Sequence, residues 1–432
     1  MHSFHYREGE LYCEEVALRR AADEFGTPLY VYSAGTILDH YRRLDAALVP
    51  LDHLICYAVK ANSNGAILKL LADAGAGFDI VSGGELFRVL KAGGTAAKCT
   101  FAGVGKSREE IEYALAEGVL SFNVESEAEL ERIDRIARSK GVKAPIALRV
   151  NPDVDAGTHR YVSTGRSENK FGIGLDHVAA VYEQAARLPN LSIRGVQMHI
   201  GSQITDAAPF AEAIAKVAPL IEELKQRYPL EFFSVGGGIG IVYESSFASG
   251  SRDWWTEKDR VAATMTLPLT IADYAATIVP PLREIGLRVL LEPGRLLVGN
   301  AGVLLTRVRY LKQAAQKKFV IVDAGMNDLI RPALYQSYHE IVPVREPSDK
   351  ARESVDVVGP VCESGDFFAQ DRELPPVNEG ELLALMSAGA YGFAMASNYN
   401  SRPLPAEVLV QGDRFSLIRQ RQTTEDLIRD EC

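Results

Sequence analysis

The feature that most constrains the fold is an alternation between short apolar runs and amphipathic helical segments. The apolar runs are rich in β-branched and aromatic residues, and the helical segments repeat apolar residues about every 3.6 positions. Such pairs recur from about residue 54 to 295, as in "LICYAVKAN" followed by "GAILKLLADAG". They predict roughly eight strands and seven helices, which is the pattern of a (β/α)8 TIM barrel. A doubly wound open sheet is the alternative.

The pattern changes after residue 295, where apolar runs such as "GVLLTRVRYLKQ" and "KFVIVDAG" follow one another without helices between them. This pattern is typical of a mostly β domain with a sandwich-like or barrel-like sheet. We therefore predict a barrel over 34–295 and a C-terminal β domain over 296–432. The N-terminal segment 1–33 contains "PLYVYS" and is expected to join the β domain.

Composition excludes several classes of function. The net charge of the 432-residue chain is −10 and no long basic run is present, which argues against binding to nucleic acid. No apolar stretch reaches the roughly 18 residues of a membrane span, and the N-terminus is too polar for a signal peptide. The five cysteines are scattered without metal-ligand spacing, and their odd number is typical of reduced thiols. We expect a soluble cytoplasmic protein without a metal site.

Residues that can bind ligands or move protons cluster at the predicted strand ends. In a βα barrel, the carboxyl ends of the strands carry the chemistry. We therefore expect these side chains to meet at one rim. They are Lys60, Asp79, Arg149, Asn151, His199, Ser202, Gln203, Gly236, Gly237, Gly238, Glu292, Pro293, Gly294 and Arg295.

A lysine, a carboxylate and a glycine loop on one rim indicate a particular cofactor. The consecutive glycines 236–238 leave backbone N–H groups open to an anion, and the loops after strands 7 and 8 often bind phosphate in barrels. Lys60 can bond to an aldehyde, Glu292 can face a pyridine nitrogen and His199 can stack on the ring. These residue types predict pyridoxal 5'-phosphate.

Several longer motifs resemble one enzyme family. They are "YAVKAN", "HIGSQ", "VGGGIG", "EPGR", "VCESGD", "STGRSENKFGIG" and "RPALYQSYHEI". In this order they span nearly the whole chain and are similar to those of fold-type III pyridoxal-phosphate-dependent decarboxylases, above all the diaminopimelate decarboxylases. The resemblance implies decarboxylation of meso-2,6-diaminopimelate to L-lysine, the last step of lysine biosynthesis.

The resemblance also implies roles for individual residues. Lys60 is implied to be the Schiff-base lysine, and Cys362 the proton donor to the carbon that loses CO2. Cys362 and Glu363 are implied to reach the active site of a second subunit, so a homodimer is expected. The other implied cofactor contacts are Asp79, His199, Ser202, Gly236, Gly237, Gly238, Glu292, Pro293, Gly294, Arg295 and Tyr391. The implied substrate contacts are Arg295, Arg331, Tyr335, Glu363 and Tyr391.

The chemistry of these side chains agrees with such a role. A thiol with a pKa of about 8.5 can donate a proton near neutral pH, so Cys362 is chemically suitable. The distal carboxylate of diaminopimelate calls for arginine, for which Arg295 and Arg331 are candidates. Its distal ammonium calls for an acid, and Glu363 is a candidate.

Three other functions remain open. The first is decarboxylation of ornithine, arginine or carboxynorspermidine on the same fold. The second is a racemase, which would need a second base, usually a tyrosine, where this chain has Cys362. The third is a non-catalytic regulatory relative, which we would expect to have lost Lys60, the glycines or Cys362, all of which are present.

Overall fold

A computed structural model describes residues 1–155, 170–255, 269–348 and 351–432. The chain forms two compact units. The barrel unit comprises His40–Ile241 and Pro268–Leu296, and the β unit comprises Met1–Asp39, Val242–Leu267 and Leu297–Cys432. The boundaries expected at 33/34 and 295/296 stay predictions.

After the first three strands, which follow one another directly, most strands up to residue 291 are separated by helices, and the strands beyond it follow one another more directly. In chain order they are β1 Phe4–Arg7, β2 Glu10–Cys13, β3 Val16–Ala17, β4 Leu29–Ser33, β5 His53–Ala58, β6 Gly77–Ile80, β7 Cys99–Phe101, β8 Ser121–Val124, β9 Ala144–Asn151, β10 Ile173–Gly174, β11 Leu191–Met198, β12 Phe232–Ser234, β13 Arg288–Leu291, β14 Gly302–Gln313, β15 Lys318–Val322, β16 Ile341–Pro343, β17 Glu353–Val358, β18 Phe367–Leu374, β19 Leu382–Leu385, β20 Ala406–Gln411 and β21 Arg414–Arg419.

The helices of the chain include those that lie between the strands of the barrel, as the sequence predicts. The α-helices are α1 Leu18–Phe25, α2 Ala34–Leu48, α3 Gly65–Asp73, α4 Gly83–Lys91, α5 Arg108–Glu117, α6 Glu127–Lys140, α7 Val178–Arg187, α8 Ala208–Arg227, α9 Ile271–Ile285, α10 Arg295–Val298 and α11 Arg331–Tyr335. Short 3-10 turns are Val59–Ala61, Ala96–Lys98, Ala248–Gly250, Phe393–Met395, Tyr399–Ser401 and Glu425–Leu427.

The strands of the barrel unit form a closed parallel sheet. Their order among the described residues is β9, β11, β12, β13, β5, β6, β7, β8, and β8 pairs with β9 to close the ring. The two-residue strand β10 pairs with Val150 and Asn151 at the end of β9, beyond the residues of β9 that pair with β8. The predicted (β/α)8 barrel is therefore confirmed, and the doubly wound sheet is excluded because an open sheet has two unpaired edges.

Burial and capping explain why these segments fold as they do. Strand β5 is buried from Leu54 to Ala58, as expected for a parallel strand covered on both faces. Helix α5 begins with a reciprocal capping box between Ser107 and Glu110. It ends at Gly118, which adopts a left-handed conformation with φ +75°. These start and stop signals fix where α5 begins and ends.

The β unit is built on a long sheet with the order β18, β17, β15, β14, β4, β20, β21. Strand β19 also pairs with β14, and β16 pairs with β19. The N-terminal strand β4 lies between β14 and β20, so residues far apart in the chain share this sheet. A second sheet of three strands, β1 to β3, precedes it. In the described part of the chain, no helix has the length and apolarity needed to span a membrane.

Candidate active site

Lys60 follows the first barrel strand, β5, and lies in the 3-10 turn Val59–Ala61. Its Nζ lies 2.6 Å from Oδ2 of Asp79, on the neighbouring strand β6. The side chain of Asp79 is 1% exposed, whereas that of Lys60 is 41% exposed. The contact therefore pairs a buried carboxylate with an amine that stays accessible.

Glu292 lies at the same end of the barrel as Lys60. It follows strand β13, which pairs in parallel with β5. Just beyond this pairing, the backbone N–H of Ala58 donates a hydrogen bond to the carbonyl of Pro293 at 3.0 Å. Gly294 packs so closely that a Cβ there would lie 3.2 Å from the Cβ of Ala58. The lysine and the glutamate thus leave adjacent strands at one rim.

The Glu292 carboxylate is buried and held by three side chains. Ser234 Oγ donates to Oε1 at 2.8 Å, Gln197 Nε2 donates to Oε2 at 2.9 Å, and Asn123 Nδ2 lies 3.4 Å from Oε1. Burial raises the pKa of Glu292 to about 7, and the negative charge of Asp79 adds to this effect. The hydrogen bonds act in the opposite direction. The carboxyl is therefore fixed in place and can exchange a proton near neutral pH.

The glycine loop after β12 is packed against the neighbouring strand ends. A Cβ on Gly236, Gly237 or Gly238 would lie within 2.4 Å of a backbone carbonyl oxygen. Gly236 and Gly238 also have φ values of +71° and +111°, which side chains disfavour. Close backbone packing is thus sufficient to require glycine at these three positions. The anion binding predicted from the sequence would be a second reason.

His199 follows β11 and lies against the glycine loop. The backbone N–H of Gly237 donates to His199 Nδ1 at 3.2 Å. Burial lowers the pKa of His199 well below its ordinary value, and the positive charges of Arg149 and Lys60 lower it further. The imidazole is therefore neutral at neutral pH, which agrees with Nδ1 acting as an acceptor.

Two residues predicted to bind anions lie together. Arg295, which is buried, donates from Nη2 to Ser202 Oγ at 3.1 Å. Gln203 has a different role, because its side-chain amide bonds to both the N–H and the carbonyl of Ile241. The Gln203 side-chain amide thus binds the backbone of Ile241.

Two polar residues of β9 contact the segment around Phe171. Arg149 pairs with Glu125 and lies over the Phe171 ring at 4.9 Å. Asn151 Nδ2 donates to the carbonyl of Phe171 at 3.2 Å, and its Oδ1 accepts from the N–H of Asp153. Both side chains thereby hold the chain that follows the strand.

Arg331 and Tyr335 lie at the two ends of helix α11 in the β unit. The Arg331 guanidinium is buried and donates to Ser337 Oγ at 3.2 Å and to His339 Nε2 at 3.4 Å. It also lies over the rings of Tyr243 and Tyr335. These contacts fix the plane of the guanidinium.

Cys362 and Glu363 lie in an exposed loop of the β unit. The N–H of Cys362 donates to Asn400 Oδ1 at 2.9 Å. On the other side, the Asp366 carboxylate accepts from the N–H of Val361 at 2.6 Å. Asn400 has a φ of +56°, which asparagine tolerates better than most residues. The loop is thus held from two directions while the thiol stays exposed.

Tyr391 lies in the β unit with an unusual backbone. Its φ is +57°, a rare conformation for a bulky residue and one that clusters at functional sites. The next residue, Gly392, packs so tightly that a Cβ would lie 2.4 Å from the carbonyl oxygen of Ala388. This packing maintains the strained backbone.

The donor set of the barrel unit fits pyridoxal phosphate. It includes an accessible amine on Lys60, a buried carboxyl on Glu292, and a hydroxyl and guanidinium pair, Ser202 and Arg295. Among the described residues, Asp79 Oδ1 is buried without a hydrogen-bond partner. A buried acceptor left in this state is costly, so a further positively charged or donor group is expected beside it.

Sequence reasoning missed the residues that support this donor set. Ser234, Gln197 and Asn123 each interrupt an apolar strand, and each binds Glu292. A polar residue in a strand that is otherwise apolar was the available signal. Asn400 was also missed, because its contact with Cys362 joins segments far apart in the chain.

Two sequence features extend beyond the described residues. Of the motif "STGRSENKFGIG" at 163–174, the structure describes only 170–174. The long segment at 241–266, between β12 and α9, is described over 241–255, where the Trp255 Nε1 donates to the carbonyl of Ser249 at 2.9 Å.

The sequence is similar to that of known pyridoxal-dependent decarboxylases. Residues 34–299 match the family model for the pyridoxal binding domain of pyridoxal-dependent decarboxylases. A diaminopimelate decarboxylase from Pseudomonas aeruginosa is 50% identical over 432 residues, covering 100% of this chain and 99% of the relative. One from Vibrio cholerae is 48% identical over 430 residues, covering 99% of this chain and 98% of the relative.

Solved structures agree. A diaminopimelate decarboxylase from Helicobacter pylori, complexed with L-lysine, aligns with a TM-score of 0.87 and 42% identity, covering 95% of this chain and 98% of that one. The M. jannaschii enzyme in complex with L-lysine aligns with a TM-score of 0.90 and 36% identity, covering 100% and 98%. With an amine and a carboxyl at one barrel rim, and with these relatives spanning its whole length, the chain belongs to the pyridoxal-dependent decarboxylases, in the family of the diaminopimelate decarboxylases.

Proposed function

We propose that this chain removes one carboxyl group from meso-2,6-diaminopimelate and releases CO2 and L-lysine. The observation that carries the proposal is the placement of Lys60, Asp79 and Glu292 at one end of the barrel. Two solved relatives that hold L-lysine support the identity of the product.

The barrel unit would hold the cofactor through residues from several strand ends. Lys60 would bond to it covalently, His199 would lie against its ring, and Glu292 would hold a proton at the pyridine nitrogen. When bound, pyridoxal phosphate supplies an aldehyde that captures amines and a ring that accepts the electron pair left by CO2. The remaining contacts proposed from the barrel unit are Asp79, Ser202, Gly236, Gly237, Gly238, Pro293, Gly294 and Arg295. Tyr391, a residue of the β unit, is proposed as a further contact.

The side chains of the β unit would recognise the substrate and supply a proton. Arg331, with Arg295, would bind the distal carboxylate, because a guanidinium matches a carboxylate in two parallel hydrogen bonds. Tyr335 and Tyr391 would line the substrate, and Glu363 would bind the distal ammonium. The exposed Cys362 thiol would give its proton to the carbon that has lost CO2.

We further propose a cytoplasmic homodimer in which Cys362 and Glu363 act in the partner's site. Support comes from their exposure in a loop that is held in place on both sides. Mixing Lys60→Ala and Cys362→Ala proteins tests this arrangement. If sites are shared, random exchange restores one intact site in each mixed dimer, or about a quarter of wild-type activity. Sites built from single chains would leave the mixture inactive.

Substrate preference tests the reaction. We would measure CO2 release from meso-diaminopimelate, ornithine, arginine and carboxynorspermidine with pyridoxal phosphate present. The proposal predicts a kcat/KM for meso-diaminopimelate at least ~100-fold above the others, since a substrate without the distal carboxylate would not provide the negative charge that Arg331 and Arg295 are proposed to bind. Faster release from another amine would assign a different decarboxylase. Interconversion of diaminopimelate stereoisomers without release of CO2 would indicate a racemase. Binding of the cofactor without turnover of any of these substrates would indicate a regulatory relative.

A further inference from the structure

Four buried charged side chains form a balanced set beside the barrel strands β7, β8 and β9. We name Lys106, Glu125, Glu129 and Arg149 the rim tetrad; each is less than 9% exposed. Lys106 Nζ donates to Glu129 Oε1 at 2.6 Å. Arg149 Nη1 lies 3.2 Å and 3.3 Å from the two carboxylate oxygens of Glu125. Two cations thus meet two carboxylates.

Glu125 joins more of the chain than any simple ion pair would. Besides Arg149, its Oε1 accepts from the N–H of Gly103 at 3.0 Å, and its Oε2 accepts from the N–H of Gly172 at 3.2 Å. Its own N–H donates to Glu129 Oε2 at 2.8 Å. Glu125 therefore ties together the chain segments that follow three neighbouring strands.

The rim tetrad is connected to the cofactor-binding side chains. Lys106 Nζ also donates to the backbone carbonyl of Asn123 at 2.9 Å, and the Asn123 side chain contacts Glu292. Arg149 lies opposite Gln197 in the pairing of β9 with β11, and Gln197 donates to Glu292. Arg149 also acts electrostatically on His199, whose pKa it helps to lower.

Stability alone does not explain the pairing of Glu125 with Arg149. Desolvating two charges costs about as much as their attraction returns, so a packed apolar pair would serve the core equally well. A buried ion pair beside a ligand site can also hold one of its charged groups, here the Arg149 guanidinium, at a fixed position. Without Glu125, the Arg149 guanidinium would be an uncompensated cation close enough to act on His199, whose pKa the positive charge of Lys60 also lowers.

We propose that Glu125 is a positioning residue, which fixes the Arg149 guanidinium among the cofactor-binding side chains and balances its charge there. The inference rests on the proposed function, in that Lys60 and Glu292 are taken to hold pyridoxal phosphate. Both carboxylate oxygens of Glu125 already accept hydrogen bonds, from Arg149 and from the N–H groups of Gly103 and Gly172. The positioning role therefore assigns the effect of Glu125 on the cofactor to Arg149.

The visible absorbance of the pyridoxal phosphate holoenzyme, titrated with pH, tests this inference. Glu125→Gln leaves an extra positive charge, which disfavours the protonated cofactor–lysine bond, so the midpoint falls by about 1 pH unit. Arg149→Gln leaves an extra negative charge and raises the midpoint. The double variant is neutral at this place and returns the midpoint toward the wild-type value. Asp79, Glu85, Glu292 and His199, the titratable groups that interact with Lys60 among the described residues, are the same in all four proteins.

The signs of these shifts decide the outcome. The inference is supported if the midpoint shifts in opposite directions in the two single variants and returns toward the wild-type value in the double variant. If Glu125→Gln does not fold, the midpoints of the Arg149→Gln and double variants decide the outcome. Equal midpoints in all proteins, or shifts of the same sign in the two single variants, overturn it. A holoenzyme with no cofactor bonded to Lys60, detected by borohydride reduction, would instead contradict the proposed function. Glu112→Gln, which removes the surface salt bridges of Glu112 to Arg108 and Lys140, is the matched control.

Discussion

Lys60 Nζ and Asp79 Oδ2 lie 2.6 Å apart, and this contact joins the ends of two adjacent parallel strands. The Asp79 carboxylate is almost fully buried, and the Lys60 amine provides a counter-charge in direct contact with it. The carboxylate would favour a positive charge on Lys60 nitrogen both before and after the cofactor bonds to it. The pair is thus suited to holding a cationic nitrogen at a defined place.

Replacing Asp79 by asparagine should weaken cofactor retention. A hydrogen bond between charged groups in a buried place contributes about 1.5–3 kcal/mol, which corresponds to a tenfold or larger loss of affinity. Equilibrium dialysis of pyridoxal phosphate against the Asp79→Asn protein measures this loss. Asp73→Asn is the control, since it removes the exposed Lys69–Asp73 pair. Equal affinities in the two variants would contradict the role given to Asp79.

The raised pKa of Glu292 should make the cofactor-free protein less stable at high pH. The folded carboxyl titrates at about 7 instead of 4.5, so the folded state binds more protons between these values. Stability contributed by this group is therefore present below pH 4.5 and is lost as pH rises through 7. Glu292→Gln should remove on the order of 1–3 kcal/mol of that pH dependence.

Thermal unfolding of the cofactor-free proteins at pH 5 and pH 8 measures this difference. The change in Tm between the two pH values should be smaller in Glu292→Gln than in wild type. Exposed Glu117→Gln should behave as wild type. An unchanged pH dependence in Glu292→Gln would mean that this carboxyl does not titrate as the structure indicates. Glu85, whose pKa burial also raises to about 7, should account for part of the remainder.

Thiol labelling should distinguish the cysteines. Cys362 and Cys432 are exposed, whereas Cys13, Cys56 and Cys99 are buried, and burial raises their pKa. Iodoacetamide should therefore label the two exposed thiols first and inactivate the enzyme. The Cys432→Ser protein should still be inactivated at the wild-type rate. If Cys362 is labelled while activity is kept, it is not the proton donor.

Asn400 should control activity through its contact with the backbone of Cys362. Asn400→Gly relieves the positive φ but removes the acceptor for the Cys362 N–H, so kcat should fall about tenfold with little change in KM. Asn400→Asp keeps an oxygen acceptor and should retain most of the activity. Steady-state kinetics of both variants, with Asn378→Ala in an exposed turn as control, measures the effect. Equal losses in the glycine and aspartate variants would exclude the proposed role of the hydrogen bond.

Much of the barrel was predictable because its strands are apolar on both faces and its helices carry clear start and stop signals. Strand β18, Phe367–Leu374, was missed because its second half is polar, with Gln370, Asp371, Arg372 and Glu373. It forms by pairing with β17 rather than by its own pattern. Pairing partners distant in the chain leave little trace in local sequence.

The residues of the candidate site likewise divide into those that the local sequence predicts and those that it does not. Lys60, His199 and Glu292 were predictable because each follows an apolar run and the strand ends of a barrel meet. Glu125 and Ser234 were not, because glutamate and serine are ordinary near a strand end and their significance comes from contacts across the barrel. What a residue binds depends on register and closure, which only the folded chain provides.

The most direct test of the account is to locate the covalent bond between the cofactor and the protein. The holoenzyme would be reduced with borohydride, digested, and its peptides mapped by mass spectrometry, with Lys69→Ala as control and Lys60→Ala as the negative. The account predicts the added pyridoxyl mass on the peptide that contains Lys60, and its absence from the Lys60→Ala protein. The same mass on another lysine, such as Lys106, or on none, would contradict it.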